Sequence, residues 1–276
     1  MPHIQRLLLS QLTAALRLLG QEPPSDVHIH ETRRHIKRAR AMLRLLRFAI
    51  GKKPFRQLDH ELRDANRTLC AGRDRAVILD TLHSIGVMRP YLLPAVSSVY
   101  ALLLRRLPVD TSGPATPATS ARAIVVRVAQ NVRRLSSSEL DSGMLRTAVA
   151  ARYGKSRRSF RRARRSGDVV DWHSCRRQTK YLYYQLQLLR PIGAALRQAI
   201  RQSRALEDTL GKEHDLVLLE EALRDCAAAA AAADAVATHA RQRRRGLHSK
   251  AMELCVTLFA DDPKCFARRC LPAARA

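Results

Sequence analysis

Six basic side chains between residues 30 and 47 recur at helical spacing: His30, Arg33, Lys37, Arg40, Arg44 and Arg47. At about 100° per residue they share one helix face, in a stripe about 100° wide. Like charges three and four residues apart repel one another, so the stripe adds nothing to an isolated helix. Its chemistry is anion recognition. Guanidinium groups present paired N–H donors to phosphate oxygens, the ammonium group a compact charge, and imidazole a further donor. At 1.5 Å per residue the stripe runs about 25 Å, too long for one mononucleotide phosphate and suited to a linear polyanion. A solvated basic face is the alternative.

A second copy separates these two readings. "VHIHETRRHIKRARAMLRLLR" aligns without a gap to "VDWHSCRRQTKYLYYQLQLLR", 143 residues on. His30 falls on His173, Arg33 on Arg176, Arg34 on Arg177, Lys37 on Lys180 and Arg47 on Arg190. Farther along, "LCAGRDRAV" from Leu69 matches "LGKEHDLVL" from Leu210, which places Asp74 opposite Asp215. Ordered matches at a nearly constant offset point to an internal duplication. Drifting surface charge has no reason to hold His, Arg and Lys in register, so the polyanion reading is favoured. The two histidines, each among cations, are expected to have depressed pKa values until an anion arrives. Neither histidine stands within a paired-ligand motif repeated in both blocks, so no metal site is expected. Asp74 and Asp215 are expected to open helices and to pair with an arginine or a backbone N–H.

Two further basic runs stand apart. "RYGKSRRSFRRARRSGD" carries Arg152, Lys155, Arg157, Arg158, Arg161, Arg162, Arg164 and Arg165. Arg158, Arg161, Arg162 and Arg165 share a face, which suits a second wall of an anion channel or a nucleic-acid or acidic-lipid patch. "RQRRRGLHSK" near residue 241 reads as an exposed turn or helix end.

The elements that must position these groups are all helices; nothing reads as a strand. Breaks fall at "QEPPS", "GKKP", "MRPYLLP", "SGD" and "RPIG". Helices are predicted at about 3–19 and 145–165, at 26–50 and 169–190 for the His blocks, and at 53–71 and 192–210. Ser25 or Asp26 is the expected N-cap of the first His-block helix. Its apolar face is Thr32, Ile36, Ala39, Leu43, Leu46 and Ile50; that of the second is Cys175, Thr179, Leu182, Leu186 and Leu189. In each the basic stripe flanks the packed face, and a stripe beside a core tends to line a groove. The Pro-, Ser- and Thr-rich stretch "LPVDTSGPATPATSA" reads as a linker. It divides the chain into an N-terminal bundle half, 1–107, a linker, 108–120, and a C-terminal bundle half, 121–276. Short breaks favour antiparallel neighbours within each half.

Composition narrows the partners. The formal net charge of +26 calls for polyanions or counterions: nucleic acid, anionic membrane or inorganic polyphosphate. A hydrophobic content of 46% excludes a disordered basic tail, while 4% aromatics is low for base stacking. Six cysteines without a CxxC pair or zinc spacing are read as reduced thiols. The N-terminal stretch reads as an amphipathic helix rather than a signal peptide. No run approaches the ~18 uncharged apolar residues of a membrane span. A cytoplasmic protein is expected.

The His blocks resemble the paired signatures of the CHAD family, the conserved histidine α-helical domain. "HETRRHIKRAR" is similar to the first, His-x-x-Arg-x-x-x-(Arg/Lys)-Arg-x-Arg, filled by His30, Arg33, Lys37, Arg38 and Arg40. "HSCRRQTKYLYY" is similar to the second, with His173, Arg176, Lys180 and Tyr184 in place. Tyr181 and Tyr183 stand where the family usually carries basic residues. "LGKEHDLVLL" resembles the family's Leu-Gly-x-x-x-Asp segment. The resemblance implies an all-α fold of two pseudo-symmetric four-helix-bundle halves around a basic central cavity that binds inorganic polyphosphate. It also implies association with polyphosphate granules; no cofactor is expected. The Glu-x-Glu-x-Lys signature of the triphosphate-tunnel hydrolase often attached to relatives is absent.

The expected function is therefore non-catalytic polyphosphate binding. The expected ligands of the polyanion are His30, Arg33, Lys37, Arg38, Arg40, Arg44, His173, Arg176, Arg177, Lys180 and Tyr184, joined by Lys155, Arg158 and Arg162. The alternatives are a nucleic-acid-binding protein, with weak non-specific binding expected in any case, and a metal-dependent phosphohydrolase built on Glu207, Asp208, Glu213 and Asp215.

Overall fold

The computed structural model describes residues 3–22, 24–69, 73–107, 115–135, 141–189, 196–224, 226 and 229–272. Among them are eleven α-helices, one 3-10 turn at Pro90–Leu92 and no strand. The helices are α1 (His3–Leu19), α2 (Asp26–Ile50), α3 (Lys52–Thr68), α4 (Arg73–Met88), α5 (Leu93–Arg106), α6 (Ala115–Arg134), α7 (Ser142–Ser166), α8 (Val169–Leu188), α9 (Leu196–Leu223), α10 (Ala230–Leu258) and α11 (Pro263–Cys270). They belong to two compact units. The first comprises Met1–Cys70, Ser112–Arg204 and Leu258–Ala276; the second Ala71–Thr111 and Ala205–Thr257. Each unit thus takes chain from both of the sequence halves 1–107 and 121–276.

In the first unit α1 packs on α2, α2 on α3, α3 on α6, and α6 back on α1, closing a four-helix ring. Ile4, Leu8, Leu12, Ala15 and Leu19 of α1 are buried at the spacing of one helical stripe. Gln5 is buried with them because its Nε2 donates to Val132 O at 2.8 Å, meeting one of the carbonyls left open at the end of α6. Ser25 caps α2: its Oγ accepts from His28 N at 3.3 Å, while its own N–H donates to His28 Nδ1 at 3.2 Å. The expected apolar faces of both His-block helices are buried, with Ile50 alone half-exposed.

Helices α7, α8 and α11 build a second cluster in the same unit. Tyr153 stacks on Phe266 at 3.9 Å and donates its hydroxyl to Leu258 O at 2.9 Å. Phe160 bridges Phe259 and Trp172, at 5.9 and 6.3 Å between ring centroids. Gly154 lets α11 approach, since a Cβ there would stand 3.3 Å from Pro263 Cγ. Asp141, Asp168 and Asp262 cap α7, α8 and α11.

The second unit has its own core, in which Leu82, Ile85, Val99 and Leu103 pack with Leu219, Val236 and Ala240. Arg75 donates to Leu107 O at 2.7 Å and Leu104 O at 2.9 Å, closing the end of α5.

Several expectations change. The linker 108–120 is shorter than composition implied: residues 115–120 are the first turns of α6, and 108–114 lie outside the described residues. Threonine and alanine outweigh Pro117 there because proline is tolerated in a first helical turn. "RQRRRGLHSK" is interior to α10, not a turn, and Gly246 is carried within the helix. Asp215 sits deep in α9 and opens nothing, because the helix runs on from Leu196. Asp74 lies in the first turn of α4, its side chain outside the described residues, as are the "RPIG" break and Arg190. No helix among the described residues is long and apolar enough to cross a membrane.

Candidate anion-binding site

Every residue expected at the site lies on α2, α7 or α8, hence in the first unit. The two His-block helices pack directly on each other. Gln185 Nε2 of α8 donates to Ala41 O of α2 at 3.1 Å in a buried contact. That carbonyl is already committed within its helix and uses its second lone pair. Beside this contact lies the ring of Tyr184, 5% exposed. Arg38 of α2 and Lys180 of α8 each stand 6.0 Å from its centroid. One cation from each of these two helices thus flanks a single ring.

A second ring gathers more charge. Tyr181 has the guanidinium of Arg44 at 4.1 Å, of Arg152 at 5.6 Å and of Arg40 at 5.8 Å from its centroid. On α3, Asp59 answers two of them. Arg40 donates through Nε to Asp59 Oδ1 at 2.9 Å and through Nη2 to Oδ2 at 3.2 Å; Arg44 Nη2 donates to Oδ2 at 3.1 Å. Arg152 Nη1 donates to Gln178 Oε1 at 2.8 Å. The Nε groups of Arg38 and Arg152 are buried and meet no hydrogen-bond acceptor among the described residues.

Titration behaviour follows from this crowding. Burial, with Arg44 alongside, pushes Arg152 down to about 10. Burial also lowers Arg44 and Lys155, the latter assisted by Arg152 and Arg44. Burial works against Arg40 too, yet its hydrogen bonds to Asp59 hold it above its ordinary value. The imidazolium of His173 is disfavoured by partial burial and then by Arg176 and Arg177.

At the periphery His30, Arg158 and Arg177 are exposed, Lys155 and His173 partly exposed, Lys37, Arg176 and Lys180 half-buried, and Arg33 buried. Arg162 departs from the expected wall. It is bound to Asp171, through Nε at 2.6 Å and through Nη2, while Ser166 Oγ donates to the other carboxylate oxygen at 2.9 Å. These bonds hold the α7–α8 turn, which Gly167 forms at φ 66°. Arg40 and Arg44, expected as open donors, are likewise tied to Asp59. Asp59 and Tyr181 were not anticipated in these roles, and Arg152 had been noted only within its basic run. No sequence spacing announces contacts between α2, α3, α7 and α8; the one signal was that Tyr181 breaks the register of cations.

The four acidic residues of the hydrolase alternative, Glu207, Asp208, Glu213 and Asp215, lie along α9 in the second unit. No group of three or more His, Cys, Asp or Glu is placed to hold a metal ion among the described residues.

The family model of the CHAD domain matches residues 6–224. The chain belongs to the CHAD domain family. Two solved structures share its fold. PptA from Streptomyces chartreusis is 18% identical with a TM-score of 0.62, over 92% of this chain and 98% of that one. The CHAD domain from the plant Ricinus communis is 18% identical with a TM-score of 0.57, over 99% of this chain and 90% of that one. No curated protein matches the sequence. The matched residues of this CHAD domain take in every helix that carries an expected site residue, whereas α10 and α11 lie beyond them.

Proposed function

We propose that this CHAD domain binds inorganic polyphosphate, without acting on it, through the cations that α2, α7 and α8 bring together. The observation that carries the reading is the meeting of the two His-block helices, where Arg38 and Lys180 share Tyr184 while Arg40, Arg44 and Arg152 surround Tyr181. Physical chemistry asks only for a linear polyanion; the family, linked to polyphosphate binding and metabolism, names which. Buried Nε donors on Arg38 and Arg152 are suited to phosphate oxygens. His30, His173, Lys155, Arg158 and Arg177 would make the outer contacts, with Arg33, Lys37, Arg176 and Lys180 nearer the middle of a basic cavity. Arg162 keeps a secondary place because Asp171 already answers its charge. The protein would act in the cytoplasm, on polyphosphate granules.

The duplication belongs to the same reading, with a unit of three helices, an excursion and a fourth helix. Ser25 and Asp168, both N-caps, stand in register with the two histidines. In this arrangement α6 completes the first bundle and α11 the second.

Calorimetric titration of a medium-chain polyphosphate against a DNA duplex, matched in phosphate and run at two salt concentrations, tests the proposal. The wild type is compared with Arg33→Ala/Lys37→Ala/Arg176→Ala/Lys180→Ala. Polyphosphate should bind more tightly than DNA. The variant should lose at least tenfold in affinity, and its log K against log salt slope should shrink by about 3, at roughly 0.7 per phosphate released from a cation on a single strand. Equal binding of both polymers, untouched by the four changes, would mean generic surface charge and would overturn it.

A further inference from the structure

We propose that Tyr181 is a positioning residue of this site, holding Arg40, Arg44 and Arg152 in place before a polyanion arrives; the inference rests on the polyphosphate reading. Three guanidinium groups from two helices, α2 and α7, stand within 6 Å of one ring centroid on a third, α8. Left to themselves these groups would repel one another, and each could swing through several rotamers. The negative face of an aromatic ring attracts guanidinium and offers a flat surface on which it stacks. Asp59 works from the other side, fixing Arg40 through two bonds and Arg44 through one. Arg44 also donates to Arg40 O at 2.7 Å, so its direction is set twice. The result is a preset group of cations. A ligand that meets them need not order them, which strengthens binding without adding a contact.

The position in the repeat gives the inference its edge. Residue 181 falls in register with Arg38 of the first copy, where a cation would be expected. A cation at 181 would put a fourth positive group beside Arg40, Arg44 and Arg152, of which Asp59 is bonded to the first two alone. Counting charges, such a residue should help a polyanion bind. On the geometry it should do the reverse, because it removes the surface that collects the other three and adds repulsion that scatters them. The ring face serves all three guanidinium groups, whereas the hydroxyl bonds Arg40 alone, which Asp59 already holds twice, so loss of the hydroxyl should cost less than loss of the ring.

The experiment is calorimetric titration of medium-chain polyphosphate at two salt concentrations on the wild type, Tyr181→Phe, Tyr181→Leu and Tyr181→Arg, with helical circular dichroism and thermal midpoint recorded for each. Tyr181→Phe should bind within about threefold of wild type. Tyr181→Leu should lose about tenfold while its salt slope stays that of the wild type, because no cation has been removed. Tyr181→Arg should bind more weakly than wild type despite its added charge. Leu binding like the wild type, or Arg binding more tightly with a steeper salt slope, would overturn the proposal. If Tyr181→Leu loses its helical signal, the Phe and Arg comparisons decide. Failure of the polyphosphate reading would look different: the wild type itself would not bind polyphosphate, or would bind it without regard to the four-residue variant above.

Discussion

His173 illustrates how much a single side chain can report. Partial burial and the neighbouring charges of Arg176 and Arg177 hold its pKa below the ordinary histidine value, so the ring is neutral near pH 7 in the free protein. A polyphosphate brought against it favours the imidazolium and raises that pKa. Binding must then take up a proton, and affinity must rise as pH falls from about 7.5 toward 5.5, through the ordinary histidine value near 6.5. Titrations in two buffers of different ionisation enthalpy should reveal the uptake at pH ~6.5. In His173→Asn the uptake should shrink while affinity at pH 8 stays within about twofold; unchanged uptake would remove His173 from the site. The type and spacing of the cations on α2 and α8 were legible from the chain alone, because helical periodicity fixes which residues share a face. Their partners were not. Asp59 reaches Arg40 and Arg44 across the α2–α3 packing, and Tyr181 meets Arg44 across α2–α8 packing, distances in sequence that no local pattern encodes. Arg162 looked like its neighbours on α7 and differs because Asp171 stands in the first turn of the next helix.

Gly51 does at the scale of elements what no other residue type could. It ends α2 and begins α3 with φ 83° and ψ 172°, a conformation essentially restricted to glycine. The direction in which α3 leaves α2 follows from it, and α3 carries Asp59 to the arginines. Gly51→Ala should destabilise the fold by about 1–3 kcal/mol, lowering the thermal midpoint by about 2–4 °C for each kcal/mol in a protein of this size. Gly246→Ala should act oppositely. It lies within α10 with nothing inside 4 Å of a Cβ added there, so helix propensity alone operates. The expected gain is about 0.5–1 kcal/mol. A differential scanning calorimetry trace of each variant checks both signs. Helix limits were readable from periodicity in α1 and from cap and periodicity together in α2. The path of α6 was not, since a Pro- and Ser-rich stretch marks a connection without saying which bundle the next helix will serve. Its partners α1 and α3 are decided by burial of Ala121, Val125, Val128 and Val132.

The molecule as a whole carries a formal net charge of +26, and self-repulsion on that scale weakens any compact state. Raising ionic strength toward 0.15 M, where the screening length is about 8 Å, should raise the thermal midpoint of the unliganded protein. Polyphosphate at one hundred times its Kd should add about 2.7 kcal/mol, well beyond the same concentration of orthophosphate. A midpoint that falls with added salt, or that responds equally to the two phosphates, would contradict this. The helical class followed from periodicity throughout the chain, but the way the chain distributes itself between two compact units did not, because each unit is assembled from separate stretches. That distribution has a consequence for synthesis. The ring of α1, α2, α3 and α6 cannot close until residue 134 has left the ribosome, and α4 and α5 must be translated first. At about 5–20 residues per second the wait after α1 emerges is on the order of ten seconds. Throughout that interval α1 lacks its α6 neighbour and Gln5 its acceptor at Val132 O, and the nascent chain offers a chaperone an apolar seam beside a strongly basic helix.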